Sequence, residues 1–219
     1  MSSIAAAPAH GDPHALHGAG HRGGLDDGWS GPPSKRIITG YGFWIFILSD
    51  IVMFSAFFAT YAVLHGQTAG GPSGHDLFDL RNVAIETALL LASSFTCGLA
   101  SIAADLRSAT WFQLAMAVTC ILGLGFLGLE GHEFASLVAR GAGPTRSAFL
   151  SSFFTLVGCH GLHVSAGILW LLTMMAQVFA KGFRPDIQRR ILCFALFWHA
   201  LDIIWIAVFT IVYLLGSAA

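Results

Sequence analysis

Charged residues are scarce in this chain. Lys, Arg, Asp and Glu make up 11% of its 219 residues, whereas an ordinary soluble domain has about 25%. Hydrophobic residues make up 55%, and so few charges cannot keep that much apolar surface in water. This shortage argues against a soluble enzyme and a disordered chain. The net charge of -1 offers no basic field to a nucleic acid. The composition indicates a protein that crosses a membrane several times.

Cysteine is also scarce, and its spacing argues against two common kinds of site. The chain has four cysteines: Cys97, Cys120, Cys159 and Cys193. No two of them form a Cys-x-x-Cys pair, so neither a zinc site nor a disulfide framework is indicated. Each lies in or beside an apolar run, where a free cysteine behaves as a small core residue.

Residues 1–36 have a different composition from the rest of the chain. They are rich in Gly, Ala, Pro and His and show no hydrophobic period, so we expect a mobile tail on the cytoplasmic side. Four histidines recur there every three or four residues: His10, His14, His17 and His21. This spacing could resemble a metal-binding tract, but the surrounding Gly and Pro would not hold a helical face and favour a solvated tail.

Five long apolar runs occupy the rest of the chain. They cover residues 37–64, 83–104, 110–129, 149–178 and 191–215. Each reaches the ~20 residues that a helix needs to cross a hydrocarbon core of ~30 Å, and none contains Lys or Arg. The pattern predicts an all-α membrane domain of five transmembrane helices over residues 37–219.

The basic residues between these runs predict the orientation. One side collects eight of them: Arg22, Lys35, Arg36, Arg107, Lys181, Arg184, Arg189 and Arg190. The other side has three: Arg81, Arg140 and Arg146. Because basic loops stay in the cytoplasm, we expect a cytoplasmic N-terminus and a periplasmic C-terminus.

Gly123, Gly125 and Gly128 match the dinucleotide-binding pattern Gly-x-Gly-x-x-Gly literally. That pattern is meaningful only between a strand and a helix, and here it lies inside an apolar run. Small residues at such spacing allow membrane helices to approach closely, so helix packing is the favoured interpretation.

Eight ionisable residues in or at the ends of the runs form the predicted buried polar network. They are Asp50, Glu86, Glu130, Glu133, His160, His163, His199 and Asp202. Such groups are costly in hydrocarbon and normally face the bundle interior or a partner. Six of them form pairs spaced i, i+3, which places both members of a pair on one helix face.

We expect at least one contact between an acid and a histidine to join two helices. The favoured pair is Asp50 with a histidine of the fourth or fifth run, because the 1.5 Å rise per residue places them at similar depth. Two alternatives stay open: Asp50 faces a lipid-filled cleft, or Asp202 pairs with His199 on its own helix face.

The same residues leave two functional alternatives open. A di-iron site would need two Glu-x-x-His pairs, which the chain lacks, and His160 or His199 is only a formal candidate for a haem ligand. We therefore assign no catalytic, cofactor-binding or metal-binding residue. Acids at the midplane also suit an independent proton-coupled transporter, although no internal repeat is visible and five spans do not form two equal halves.

Several motifs along the five runs resemble subunit III of the haem–copper oxidases. In chain order they are Gly42-Phe-Trp-Ile-Phe-Ile-Leu-Ser-Asp50, Ala59-Thr-Tyr-Ala-Val-Leu64, Glu86-Thr-Ala-Leu-Leu-Leu91, Leu127-Gly-Leu-Glu130-Gly-His-Glu133-Phe134, Cys159-His-Gly-Leu-His-Val164 and Phe197-Trp-His-Ala-Leu-Asp-Ile-Ile-Trp205. Within the family, the five-helix form, the stretch Gln67-Thr-Ala-Gly-Gly-Pro-Ser-Gly74 and the His-rich tail resemble the branch of bacterial ubiquinol oxidases.

This resemblance implies a role in a complex. Such an oxidase passes electrons from ubiquinol to oxygen and pumps protons across the bacterial plasma membrane. Haem and copper are expected in subunit I, and subunit III carries no redox centre. Subunit III is expected to contact subunit I and the smaller subunits II and IV, to bind phospholipid, and to support the assembly, stability and proton uptake of subunit I.

Overall fold

The computed structural model describes residues 35–70 and 79–218, and in these ranges the chain forms five long helices. They are α1 (Lys35–Leu64), α2 (Leu80–Asp105), α3 (Ala109–Ala139), α4 (Ala148–Lys181) and α5 (Pro185–Val208). A π-helical segment, Phe209–Leu214, continues α5, and a short α6 (Leu215–Ala218) follows it. All five long helices are long and apolar enough to cross a membrane, which confirms the predicted number of spans. The predicted tail and its histidines lie outside the described residues, except that Lys35 and Arg36 belong to α1.

Two helices extend six or more residues beyond one end of the apolar runs that predicted them. Helix α3 continues ten residues past Leu129, to Ala139, and therefore includes Glu130, His132 and Glu133. Helix α5 begins at Pro185 instead of near Ile191, because a proline is well suited to the first turn of a helix. Polar side chains end an apolar run without interrupting the backbone hydrogen bonds of a helix, and this explains both differences.

Side chains next to the helices fix two of the helix starts. The Asp79 carboxylate accepts a hydrogen bond from the backbone N–H of Arg81 at 3.0 Å, and the Ser147 hydroxyl accepts one from Leu150 at 3.2 Å. These caps satisfy donors that the first turn leaves free. At the far end of α4, Gly182 has φ +66°, a conformation that glycine adopts without strain.

The helices pack in an order that places α4 and α5 in the middle. Helix α1 packs against α4 and α5, while α2 and α3 form a close pair that packs against the other side of the same two helices. Only 11% of the α1 span is buried inside the chain, against 61% of the span that contains α5. Most of the α1 surface is therefore left for lipid or for another protein.

Aromatic side chains fill the interior. The largest fully buried ones include Trp198, Trp205 and Tyr213. The Trp198 ring packs against two glycines: a Cβ added to Gly123 of α3 would lie 3.1 Å from it, and one added to Gly167 of α4 would lie 2.9 Å from it. The packing interpretation of the glycine motif thus holds for Gly123, whose missing side chain makes room for the indole.

All four cysteines are free. Cys97, Cys120 and Cys193 are buried, and Cys159 is half-buried. Three of the four therefore pack as core residues, as their positions in the apolar runs indicated.

Candidate functional site

Three glutamates gather at the end of the bundle where α2 begins and α3 ends. They are Glu86 of α2 with Glu130 and Glu133 of α3, and the chain has no other glutamate. The side chains of Glu86 and Glu130 are 1% and 4% exposed, and Glu133 is half-buried. The carboxylates are close enough to repel one another electrostatically. We call these three residues the glutamate cluster.

Most of the cluster's oxygens lack a hydrogen-bond partner in the described residues. Both oxygens of Glu86, Oε2 of Glu130 and Oε1 of Glu133 are buried and unpartnered. The other Glu133 oxygen accepts a hydrogen bond from the Tyr213 hydroxyl at 3.5 Å. Buried polar atoms in native proteins are almost always paired with protein or with water, so this cluster requires a partner that the described side chains do not supply.

A glycine of the neighbouring helix makes room for Glu130. A Cβ added to Gly161 of α4 would lie 2.6 Å from Oε1 and 3.0 Å from Oε2 of Glu130. Any other residue at this position would push the carboxylate away, since real Cβ contacts are essentially never that short. The missing side chain of Gly161 thereby lets Glu130 approach the α4 backbone.

A polar cavity of about 130 Å³ leads to the cluster. Its lining includes Glu86 and Glu133, together with Asp79, Asn82, His132 and Arg140. These last four side chains are exposed, so they form the mouth of the cavity. A water molecule occupies about 30 Å³ in the liquid, and the cavity therefore has room for several.

His160 lies in an aromatic environment on α4. Its ring centroid is 5.2 Å from that of Trp205, 5.8 Å from Phe126 and 6.3 Å from Phe54. The side chain is 0% exposed, and neither ring nitrogen has a hydrogen-bond partner among the described residues. The neighbouring His163 is half-buried, and its Nδ1 donates to the Cys159 carbonyl of its own helix at 2.8 Å.

Hydroxyl groups of α2 bind the polar side chains of α5. Nδ1 of His199 lies 2.7 Å from the Ser94 hydroxyl, and the Asp202 side chain also interacts with Ser94. The Trp198 indole N–H donates to the Ser93 hydroxyl at 3.1 Å. The Trp205 indole N–H donates to Thr87 at 3.0 Å, and together these contacts form a polar ladder between α2 and α5.

The expected contact between Asp50 and a histidine is wrong. Asp50 is half-buried, and no hydrogen bond or ion pair joins it to His160, His163 or His199 within the described parts of the chain. The hydrogen-bond partner of His199 is Ser94 of α2. Asp202 lies close enough to Ser94 and to His199 of its own helix to interact with both, and its Oδ1 has no hydrogen-bond partner in the described residues. Depth along a helix was predictable, but the hydrogen-bond partner of His199 was not, because it depends on the rotation of each helix about its own axis.

Sequence reasoning missed the hydroxyl groups of this ladder. A usable signal exists on α5, where Trp198 and Trp205 are seven residues apart. Residues at that spacing share a helix face, and a buried indole N–H needs an acceptor.

Within residues 35–70 and 79–218, no group of three or more His, Cys, Asp or Glu side chains is placed to hold a metal ion.

A model of the family described as cytochrome c oxidase subunit III matches residues 29–217. The chain belongs to the cytochrome c oxidase subunit III family. This confirms the resemblance to haem–copper oxidase subunits III that the motifs indicated. Membership in this family and the five apolar helices make the chain a membrane subunit of a respiratory oxidase complex.

Curated relatives of this family cover most of the chain. The cytochrome bo(3) ubiquinol oxidase subunit 3 of Pseudomonas aeruginosa is 54% identical over 179 residues, which is 82% of this chain and 86% of that protein. The quinol oxidase subunit 3 of Bacillus subtilis is 45% identical over 175 residues, 80% of this chain and 86% of that protein. The cytochrome c oxidase subunit 3 of Bacillus sp. (strain PS3) is 42% identical over 175 residues, 80% of this chain and 84% of that protein.

Proposed function

We propose that this chain is the non-redox subunit III of a terminal ubiquinol oxidase of the bacterial plasma membrane. The complex passes electrons from ubiquinol to oxygen and pumps protons, and subunit III stabilises the subunit that holds the haems and copper. The observation that carries the proposal is the 54% identity to a ubiquinol oxidase subunit 3 over 82% of the chain. The relative named for cytochrome c oxidase is less similar, at 42%.

Two measurements on the purified complex test this assignment. The complex that copurifies with the tagged chain should oxidise ubiquinol and should not oxidise reduced cytochrome c. Deleting the chain should leave the haem spectrum largely intact and lower the stability or the sustained turnover of the complex. Rapid oxidation of cytochrome c would contradict ubiquinol as the electron donor. Loss of haem from an otherwise assembled complex would contradict the stabilising role of subunit III.

The surface of α1 supports a partner in the membrane. Large apolar side chains on this helix are uncovered, among them Val52 and Val63, which are 70% and 77% exposed. With α4 and α5 as its main neighbours, α1 has room for lipid and for other oxidase subunits. We place subunit I as the main contact of the chain, with subunits II and IV in the same complex.

Two apolar grooves suit the acyl chains of phospholipids. One, of about 510 Å³, lies between α2 and α3 and is lined by residues such as Leu99, Trp111 and Leu114. The other, of about 330 Å³, lies between α1 and α5 and is lined by residues such as Trp44 and Ile203. Native mass spectrometry should find phospholipid retained by the complex and lost with the chain, whereas equal lipid content in the complex lacking subunit III would contradict this assignment.

The excess of basic residues at one end supports a cytoplasmic N-terminus. The basic residues at that end include Arg107 and four in the segment 180–190, which covers the end of α4, the loop 182–184 and the first turns of α5. A periplasmic reporter fused after Ala219 should be active, and the same reporter fused in the loop 182–184 should be inactive. The opposite pattern would reverse the orientation.

A further inference from the structure

We propose that the glutamate cluster and its cavity form a hydrated site that holds and exchanges protons. The site opens at the end of the bundle where α1 ends and α2 begins, which is the periplasmic end in the orientation proposed above. It involves only side chains of this chain, and it does not depend on which electron donor the oxidase uses.

The charge balance of the glutamate cluster favours carboxyl groups that keep their protons. Three carboxylates lie together at low exposure, and no Lys or Arg side chain forms an ion pair with any of them within the described residues. Ionising all three would place three uncompensated negative charges in a medium of low dielectric constant, which is very costly. Protons that the carboxylates share remove this cost, and such interacting groups release their protons as a set.

Few of the groups that face the glutamate cluster could compensate the negative charge of its carboxylates. Helix α2 contributes Asp79 and α3 contributes His132 and Arg140, all three at the exposed mouth of the cavity. The π-helical segment contributes the Tyr213 hydroxyl. On α4, the backbone of Gly161 contacts Glu130, and His160 is nearby in sequence but packs among aromatic rings. From α1, Tyr61 donates to a backbone carbonyl of the π-helical segment instead.

The unpartnered side chain of Glu86 points to a ligand in the cavity. It is 1% exposed, both of its oxygens lack partners, and it lines the cavity beside Glu133. A polar cavity with room for several waters and with such acceptors in its wall meets the conditions for ordered water. Water in the cavity would pair with Glu86 and Glu133 and connect them to the exposed mouth, so the bound protons can exchange with the aqueous phase.

A metal ion is the other occupant that carboxylates could hold. The described side chains are not arranged around a metal position, and Arg140 at the mouth repels cations. The two occupants differ in a measurable way, because a cation would keep the carboxylates ionised, while the proposed site keeps carboxylic acid groups that lose their protons in alkaline buffer.

Infrared difference spectroscopy of the intact oxidase complex tests the proposal. The immobilised complex is perfused alternately with acidic and alkaline buffer, and the C=O stretch of carboxylic acids is recorded in H₂O and in D₂O. We expect a component that is present in acid, disappears in alkali and shifts in D₂O. The substitutions Glu86→Gln, Glu130→Gln and Glu133→Gln should each remove part of it, and Asp186→Asn, an exposed acid at the other end of the bundle, should remove none.

Two results would overturn the proposal. One is a difference spectrum that is the same in wild type and in all three Gln variants. The other is a Glu-dependent component that does not shift in D₂O, which would mean that the cluster is sealed from water. Where a Gln variant fails to assemble, Glu→Asp at the same position keeps the carboxyl group and should keep the component at a shifted frequency. Loss of the component in an assembled Asp variant also contradicts the proposal.

Discussion

The hydroxyl of Tyr61 donates a hydrogen bond to the backbone carbonyl of Val212 at 3.2 Å. This contact joins the last turns of α1 to the π-helical segment that follows α5. Both side chains are buried, at 3% and 0% exposure, and the wider π-helical turn departs from the regular i−4 bonding of the backbone. Since α1 is otherwise the least buried helix of the chain, this hydrogen bond is well placed to hold its end against the bundle.

Replacing Tyr61 by Phe should weaken the docking of α1. The change removes one buried hydrogen bond and leaves the Val212 carbonyl without its partner, so we expect a loss of about 0.5–1.5 kcal/mol. The measurement is the midpoint of unfolding in increasing denaturing detergent. Tyr41→Phe is the matched control, because Tyr41 lies on the same helix, is 69% exposed and has no hydrogen bond in the described residues. Equal midpoints for the two variants would show that the Tyr61 contact adds no stability.

Replacing Ser94 by Ala should loosen the contact between α2 and α5. The variant leaves Nδ1 of His199 without its partner at 2.7 Å, and it also removes the interaction with Asp202. Hydrogen bonds between membrane helices average about 0.6 kcal/mol, so the loss should be at least of this size. Ser101→Ala is the control on the same helix, because the Ser101 hydroxyl bonds to the carbonyl of Cys97 within α2. The same detergent titration measures the unfolding midpoints of both variants. A Ser101→Ala variant as unstable as Ser94→Ala would show that the contacts of Ser94 with α5 add no stability.

The five spans were predictable because membrane helices must be long and continuously apolar. Their ends were less predictable, since α3 and α5 contain polar turns such as the one around Glu130 and His132 that hydropathy alone assigns to loops. The π-helical segment had no signal at all, because its residues, Phe209–Leu214, include neither Gly nor Pro.

The candidate site was predictable in its residues but not in its arrangement. The cost of ionisable groups in hydrocarbon identified Glu86, Glu130 and Glu133 without any structure. Which of them meet depends on the rotation of each helix and on neighbours such as Gly161, whose missing side chain is what lets Glu130 approach α4. That the eight ionisable residues act together stays a prediction, since in the described residues no hydrogen bond joins Asp50 or His160 to the glutamate cluster.

Replacing Gly167 by Ala should destabilise the centre of the bundle. The new methyl group would lie 2.9 Å from the Trp198 ring and 3.2 Å from Phe197, and overpacking of this kind costs about 1–3 kcal/mol. Gly128→Ala is the control, since a Cβ at this helical position meets nothing within 4 Å and alanine favours a helix over glycine. The detergent midpoint should fall for Gly167→Ala and stay the same or rise for Gly128→Ala. An unchanged midpoint in the first variant would show that Trp198 can shift without cost.

Replacing Gly161 by Ala should displace the Glu130 carboxylate. A methyl group 2.6 Å from Oε1 cannot coexist with the present position, so the carboxylate must move away from the α4 backbone. In the infrared experiment the pH-dependent carboxylic acid component should therefore change frequency, and the complex should still assemble, because a long glutamate side chain has other rotamers. Gly158→Ala on the same helix places its methyl group 3.6 Å from Phe134, an ordinary contact, and should leave the spectrum unchanged. A Gly161→Ala spectrum identical to that of wild type would show that Glu130 does not contribute to the proton-binding component, and it would reduce the site to Glu86 and Glu133.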